Sequence, residues 1–340
     1  MTADTKNGGA YNVKPVDVVA LGELLIDFTE NGSSTQGNPL LEANPGGAPC
    51  NVLAMLNRLG RKTAFIGKVG CDTFGKQLRQ AVEDSGTDIT NLVEDKNVHT
   101  TLAFVHTLPD GDRSFSFYRN PGADMMLRKD EVMPDVVTAG RIFHFGTLSC
   151  THAGVREATR YAVHLAKEHG MLLSFDPNLR EPLWDALEDA RREMIYGLEH
   201  CDILKISDNE LTFITGETDL KKGAEQLRQQ YDIPLVLVTL GANGSRAYYK
   251  DIVVEEPAFL QQKTIETTGA GDTFTGCMLH FVLQYGMEHL TEEILHDMLR
   301  FANAGASLIT TRKGALKVMP TKQEIEMLLM DSHCPEVAVP

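Results

Sequence analysis

The chain has 340 residues, enough for one large α/β domain or two medium ones, with 42% hydrophobic and 23% charged residues, as in ordinary globular proteins. A formal net charge of −15 opposes nucleic acid and anionic membrane surfaces, so neither is expected as a partner, and an anionic ligand needs local donors. No apolar run approaches the roughly 20 residues of a membrane-spanning helix, and residues 1–14 lack the apolar core of a secretory signal. Six scattered cysteines (Cys50, Cys71, Cys150, Cys201, Cys277, Cys334) form no CxxC pair and read as free thiols in a reducing cytoplasm.

In chain order, residues 16–22 form a short apolar run ending in Gly22, as a buried strand would. Residues 51–59 carry apolar side chains at helical spacing and stop at Gly60; residues 63–69 return to strand character. The alternation recurs: strand 141–145, helix 153–169, strand 171–175, helix 186–200, strand 202–206, helix 220–230 and strand 234–240. Strands alternating with helices predict a three-layer α/β/α sandwich around a mostly parallel sheet.

Two stretches break this rhythm. Residues 101–106 and 114–119 are strand-like and flank the turn sequence Pro109-Asp110-Gly111-Asp112, which predicts a β-hairpin. Residues 29–43, rich in Gly, Ser, Asn and Gln, interrupt the passage from strand to helix. Together, over about 29–43 and 98–120, they predict a small β lid that could close over a substrate and exclude water. No repeat or linker divides the chain, so one domain over 15–330 is expected, with 1–14 and 331–340 as flexible tails. Exposed lid edges would suit a homodimer through the lid.

The segment Thr267-Thr268-Gly269-Ala270-Gly271-Asp272 leads into a helix whose apolar positions Phe274, Met278, Phe281 and Tyr285 recur every three or four residues before Gly286. Glycines let backbone N–H groups approach a phosphate, and a helix N-terminus adds its positive end. Asp272, in the first turn, reads equally as a helix N-cap or as a base accepting a proton from an attacking hydroxyl. The chain lacks GxxxxGK[ST] and lacks GxGxxG after its first strand, which excludes a P-loop kinase and speaks against a Rossmann dehydrogenase.

GAGDTFTG at 269–276 resembles the second signature of the PfkB/ribokinase family of sugar kinases. Gly46-Gly47-Ala48-Pro49-Cys50-Asn51-Val52, continuing to Gly67-Lys68-Val69-Gly70, resembles the first, and the likeness runs over about 16–330. GELLIDF at 22–28, FYRNPGADMML at 117–127 and FDPNLREPLW at 175–184 resemble the fructokinase branch. The resemblance implies a ribokinase-like fold and ATP-dependent phosphorylation of a sugar hydroxyl, fructose to fructose 6-phosphate first. A 2-keto-3-deoxygluconate kinase is the alternative within the class, and a non-catalytic sugar- or nucleotide-binding regulator the alternative outside it.

Carried over by position, Asp272 matches the catalytic base and Gly269, Ala270 and Gly271 the anion hole. Asp27, at the end of the first strand, matches a carboxylate gripping sugar hydroxyls, while Gly46, Gly47 and Asn51 match the sugar-binding turn and helix start. Arg180 matches an arginine near sugar and phosphate. Lys205, Thr239, Gly241, Gly244, Gly271 and Asn303 match the nucleotide side. Glu210 matches a glutamate acting on Mg²⁺ through water, although Ser207 stands where the family has asparagine. Glu266, Thr268 and Gly314 border the family's monovalent-cation loop, so K⁺ is an expectation beside ATP and Mg²⁺. Phe104 and Phe117, on the lid, read as packing residues.

Overall fold

The structure, a computed structural model, describes residues 14–107 and 113–331. The turn at 109–112, Cys334 and most of both predicted tails lie outside the described residues. Alternation along β1 (Val16–Leu21) already defines two faces. Val18 and Ala20 join one buried core, and Val19 and Leu21 join the other.

The chain leaves β1 for two long strands, β2 (Leu25–Ser33) and β3 (Pro39–Gly46), and then enters α1 (Ala48–Arg58). It returns through β4 (Thr63–Gly70), α2 (Thr73–Asp84) and β5 (Asp88–Asp95), and leaves again for β6 (Leu102–Thr107) and β7 (Arg113–Tyr118). After the short α3 (Pro134–Thr138) come β8 (Gly140–Gly146), α4 (Ala153–Glu168), β9 (Leu172–Asp176), α5 (Leu187–Leu198) and β10 (Ile203–Ser207). Helices α6 (Asp208–Thr215) and α7 (Leu220–Tyr231) precede β11 (Leu235–Thr239), β12 (Ser245–Tyr249) and β13 (Ile252–Glu256). Three helices complete the described residues: α8 (Ala270–Tyr285), α9 (Glu292–Ile309) and α10 (Lys322–Asp331).

Nine strands form the main sheet, in the order β13-β12-β11-β10-β9-β8-β1-β4-β5. From β11 to β5 every pairing is parallel; β12 and β13 add an antiparallel edge. One face packs on α1, α2, α8 and α9 through residues such as Leu53, Leu78, Met278 and Leu299. The other packs on α4 to α7 through Ala158, Met194, Leu211 and Ala224. Helices on both faces explain why all eight residues of β4 are buried. The strand order turns around at β1, which has β4 on one side and β8 on the other. Beyond the carboxyl ends of the strands at such a reversal, α/β sheets open a ligand crevice.

The second sheet has the order β3-β2-β6-β7. The stretch 29–43, expected as part of a small β lid, lies within an antiparallel strand pair of this sheet. Its polar residues are tolerated because both strands run out to exposed ends, where burial does not demand apolar side chains. Phe28 stacks on Phe104 across β2 and β6 at 4.9 Å and meets Phe74 of α2 edge-on at 5.6 Å, which roots the lid on the main body. The alternate positions Asn44, Asp27, Ala103 and Phe117 share one cross-strand row on the opposite face. Asp27 therefore rides on the lid, not at the end of the first strand of the main sheet. The break at Gly22-Glu23-Leu24, hidden in an apolar run, separates β1 from β2.

Candidate active site

Strand ends and lid together enclose a cleft of about 920 Å³. Glu23, Asp27, Gly47, Asn51, Arg180, Lys205, Glu210, Thr239, Gly241, Gly244, Thr268, Gly269, Ala270, Gly271, Asp272 and Asn303 all line it. Residues spread over 280 positions of sequence meet in one place because every parallel strand delivers its carboxyl end to the same side.

The α8 N-terminus forms the floor. Gly269 has φ 80°, the left-handed region that glycine tolerates, and a Cβ there would lie 2.7 Å from that of Ala315. The Ala270 amide donates to Thr267 O at 3.2 Å, closing the turn. The amides of Gly271 and Asp272 have no acceptor among the described residues and stand open at the positive end of a 16-residue helix.

Asn51 Nδ2 donates to Asp272 Oδ2 at 2.8 Å, joining the starts of α1 and α8. Asn51 lines the cleft, and its Oδ1 is buried without a hydrogen-bond partner among the described residues. Burial pushes the Asp272 carboxyl up to about 6 against the Asn51 hydrogen bond and the charges of Lys205 and Arg180. Asp27 is pushed up to about 7, first by burial and then by Glu266, with Arg180 opposing. Two carboxylates poised near neutrality in one cleft mark a site of proton chemistry.

Cations sit opposite. Lys205 Nζ is 3.0 Å from Asp176 Oδ2, and a Cβ on Gly271 would lie 3.1 Å from that Nζ. Its ammonium stays above the ordinary value, because Asp176 and Glu210 together outweigh burial. Arg180 is exposed, bonded only to Leu179 O at 3.1 Å, and makes no ion pair among the described residues. One cation is thus anchored, and the other is available to a ligand.

Glu210 is already engaged. Leu179 N donates to its Oε1 at 2.7 Å, and Ser207 N and Oγ both reach its Oε2 at 2.9 Å. Serine at 207 caps α6 and completes a capping box with Glu210. A carboxylate so occupied reaches a metal only through water, and Asp208 lines the cleft beside it. That donor set fits Mg²⁺, which keeps most of its waters and leans on substrate phosphates.

At the far end, Gly241 and Gly244 have φ of 55° and 98°, and a Cβ on Gly244 would lie 2.0 Å from Glu256 O. Asn303 accepts from Ser245 Oγ at 2.9 Å and donates to the carbonyls of Glu256 and Pro257 at 3.1 Å each. It shapes this wall, and its amide groups are held by protein. Glu266 and Gly314 meet in one hydrogen bond, Gly314 N to Oε2 at 3.1 Å, while Thr268 faces the cleft. Gly46 lies at the lid root, where a Cβ would come within 2.3 Å of Asp27 Oδ2.

Reading motifs alone overlooked Glu23, Asp176 and Asn178. Glu23 and Asn178 line the cleft. Glu23 is pushed up to about 7 by burial, against hydrogen bonds from its own amide and that of Ala48. Asp176 opens the stretch that contains Arg180, and a carboxylate so near a candidate cation was the available signal.

A pfkB family carbohydrate kinase model matches residues 16–322. The chain belongs to this family. It is 43% identical over 310 residues to probable fructokinase-2 of Arabidopsis thaliana, covering 90% of this chain and 94% of the relative. The fructokinase of Xylella fastidiosa with bound ATP superposes with a TM-score of 0.84 at 32% identity, over 93% of this chain and 98% of that one. A double mutant of the Vibrio cholerae O395 fructokinase, bound to fructose, ADP and a potassium ion, gives 0.82 at 30% identity, over 92% and 98%. The fold of this pfkB kinase is ribokinase-like. Among the described residues no helix is long and apolar enough to cross a membrane.

Proposed function

We propose that this pfkB kinase is an ATP-dependent fructokinase that forms fructose 6-phosphate. One observation carries the reading: Asp272, at the open α8 N-terminus, is bonded to Asn51 in a cleft that Asp27 also lines. A neutral polyol needs such acceptors, and a phosphoryl group needs the donors beside them.

Asp27 and Asn51 orient the sugar. Asp272 accepts the proton of the attacking hydroxyl as the oxygen approaches the γ-phosphorus. The amides of Gly271 and Asp272, with Lys205 and Arg180, stabilise charge on the transferring group. Thr239, Gly241, Gly244 and Asn303 shape the nucleotide end, where glycines admit a ligand close to the backbone. Glu210 and Asp208 would hold Mg²⁺ through water; when bound, the ion neutralises charge on the phosphates. Glu266, Thr268 and Gly314 border the loop that would take K⁺. The lid edges β3 and β7 present Leu41 and Tyr118, 45% and 68% exposed, as a surface for a homodimer. A monomer mass by light scattering at working concentration would remove that last element.

The deciding experiment is ADP release with MgATP across fructose, ribose, adenosine, 2-keto-3-deoxygluconate, tagatose and glucose. The expected outcome is a preference for fructose by at least about tenfold in kcat/KM, since contacts that pair buried polar groups discriminate strongly. Preference for another member would replace fructose and keep the kinase; silence on all of them, with ATP bound, would sink the reading.

A further inference from the structure

A cluster of buried polar side chains lies beside the cleft, and the phosphoryl-transfer scheme gives it no role. Arg119 and Asp124 have side chains only 3% and 1% exposed and meet at 2.6 Å, Nη2 to Oδ2. Arg119 Nε donates to the same carboxylate at 2.8 Å, Nη1 to Thr151 Oγ1 at 2.8 Å, and Nη2 to Leu148 O at 3.0 Å. Thr101 Oγ1 donates to Asp124 Oδ1. Glu23 lies close enough to feel both charges, and its Oε1 accepts from Ala48 N at 2.8 Å. The packing leaves no slack, since a Cβ on Gly122 would fall 1.7 Å from Thr101 Oγ1 and 2.8 Å from Asp124 Oδ1.

The position of these residues in the chain is the informative part. Glu23 stands two residues before β2, Ala48 two after β3, Thr101 one before β6 and Arg119 one after β7. All four lid strands are therefore rooted in this one cluster, where the chain crosses between main body and lid. Leu148, whose carbonyl Arg119 holds, lines the cleft. Asp27 and Phe117 lie four and two residues along the chain from Glu23 and Arg119.

We propose that Arg119, Asp124 and Thr101, with Glu23, are positioning residues that hold the roots of the lid so that Asp27 and Phe117 face the sugar across from Asp272. A buried ion pair fully supplied with hydrogen bonds is unforgiving of small displacements, which suits a hinge anchor better than a general source of stability. A shift of about 1 Å at a root is enough to degrade a sugar contact. The nucleotide end, built on β11 and α9, stands apart from the cluster and keeps its geometry.

The test uses the full chain with Thr101→Val, which keeps the shape and removes the hydroxyl, together with Thr101→Ser and Asp124→Asn. Steady-state kinetics are paired with hydrogen–deuterium exchange of the unliganded protein. In Thr101→Val the KM for fructose should rise about tenfold while the KM for MgATP stays within about twofold, as expected for a lost hydrogen bond to a charged group. Peptides from β2, β3 and β6 should exchange faster with the main sheet unchanged, and Thr101→Ser should restore both readouts. Asp124→Asn should show the same pattern, enlarged. If it fails to fold, the two threonine variants decide alone. An unchanged fructose KM with unchanged lid exchange would overturn the proposal, as would faster exchange spread evenly over both sheets. The kinetic arm rests on the fructokinase reading, but the exchange arm does not. A wild-type protein inactive on fructose would sink that reading and leave the hinge to be judged by exchange.

Discussion

At the proposed phosphate end of the cleft, Gly269, Gly271 and Asp272 come from four consecutive residues at one helix start, backed by Lys205 on β10, an inner strand of the main sheet. At the sugar end, Asp27 and Phe117 come from β2 and β7 of a four-stranded sheet, and Asn51 comes from a helix of the main body. The first arrangement is local and stiff, because the α8 backbone and the parallel sheet place its groups. The second depends on how one sheet is held over another. Charge stabilisation at a phosphate demands fixed dipoles, whereas a sugar must enter and leave, so the proposed roles ask for a rigid end and a hinged end in the same cleft.

The sharpest way to break this division is Asp272→Asn. Loss of the base should lower kcat by about 10³-fold and leave the fructose KM within a few-fold, since general base catalysis contributes in that range. Single-turnover and steady-state ADP release would read it, and undiminished turnover would remove Asp272 from its role. Asp27→Asn should do the reverse, raising the fructose KM by about 10- to 100-fold with a smaller change in kcat, as for a lost charged hydrogen bond. Equal losses in kcat from both variants would mean that the two ends do not divide the work.

The same contrast explains what was legible in the sequence. The phosphate end shows because its requirements, a glycine run, a carboxylate and an amphipathic helix, fall within a few adjacent residues. The parallel sheet shows for a similar reason, since strands buried on both faces must be apolar runs. The lid showed as a break in the strand–helix rhythm, but the extent of β2 and β3 did not, because both run out to exposed ends where periodicity and composition point to loop. Asp27 was read as a strand-end residue of the main sheet because nothing local in Gly22-Glu23-Leu24 announces a change of sheet. Arg119 and Asp124 resemble surface charges, and only tertiary burial distinguishes them. The motif places Glu210 beside Ser207, but the hydrogen bonds that tie the two together as a capping box show only in the cap geometry.

The smallest expected effect concerns stability, and its sign is opposite to that of the catalytic losses. Asp27 and Asp272 have folded values of about 7 and about 6, above their ordinary 3.8. Below the ordinary value both are protonated in either state and cost nothing. As pH rises from about 4 to 7 the unfolded chain releases their protons first, so ionisation in the cleft progressively weakens the fold. Asp27→Asn removes one such ionisation and should raise Tm at pH 8 by about 2–4 °C, with little change at pH 4. Activity should move the other way with pH, because the proposed role of Asp272 as base needs its ionised form. In the wild type kcat/KM should climb through about 6 to 7, and in Asp27→Asn the upper part of that limb should vanish, leaving a rise near 6. A Tm gain of equal size at both pH values would assign the effect to packing and not to charge. A pH limb unmoved by the substitution would show that Asp27 does not need to be ionised to hold the sugar.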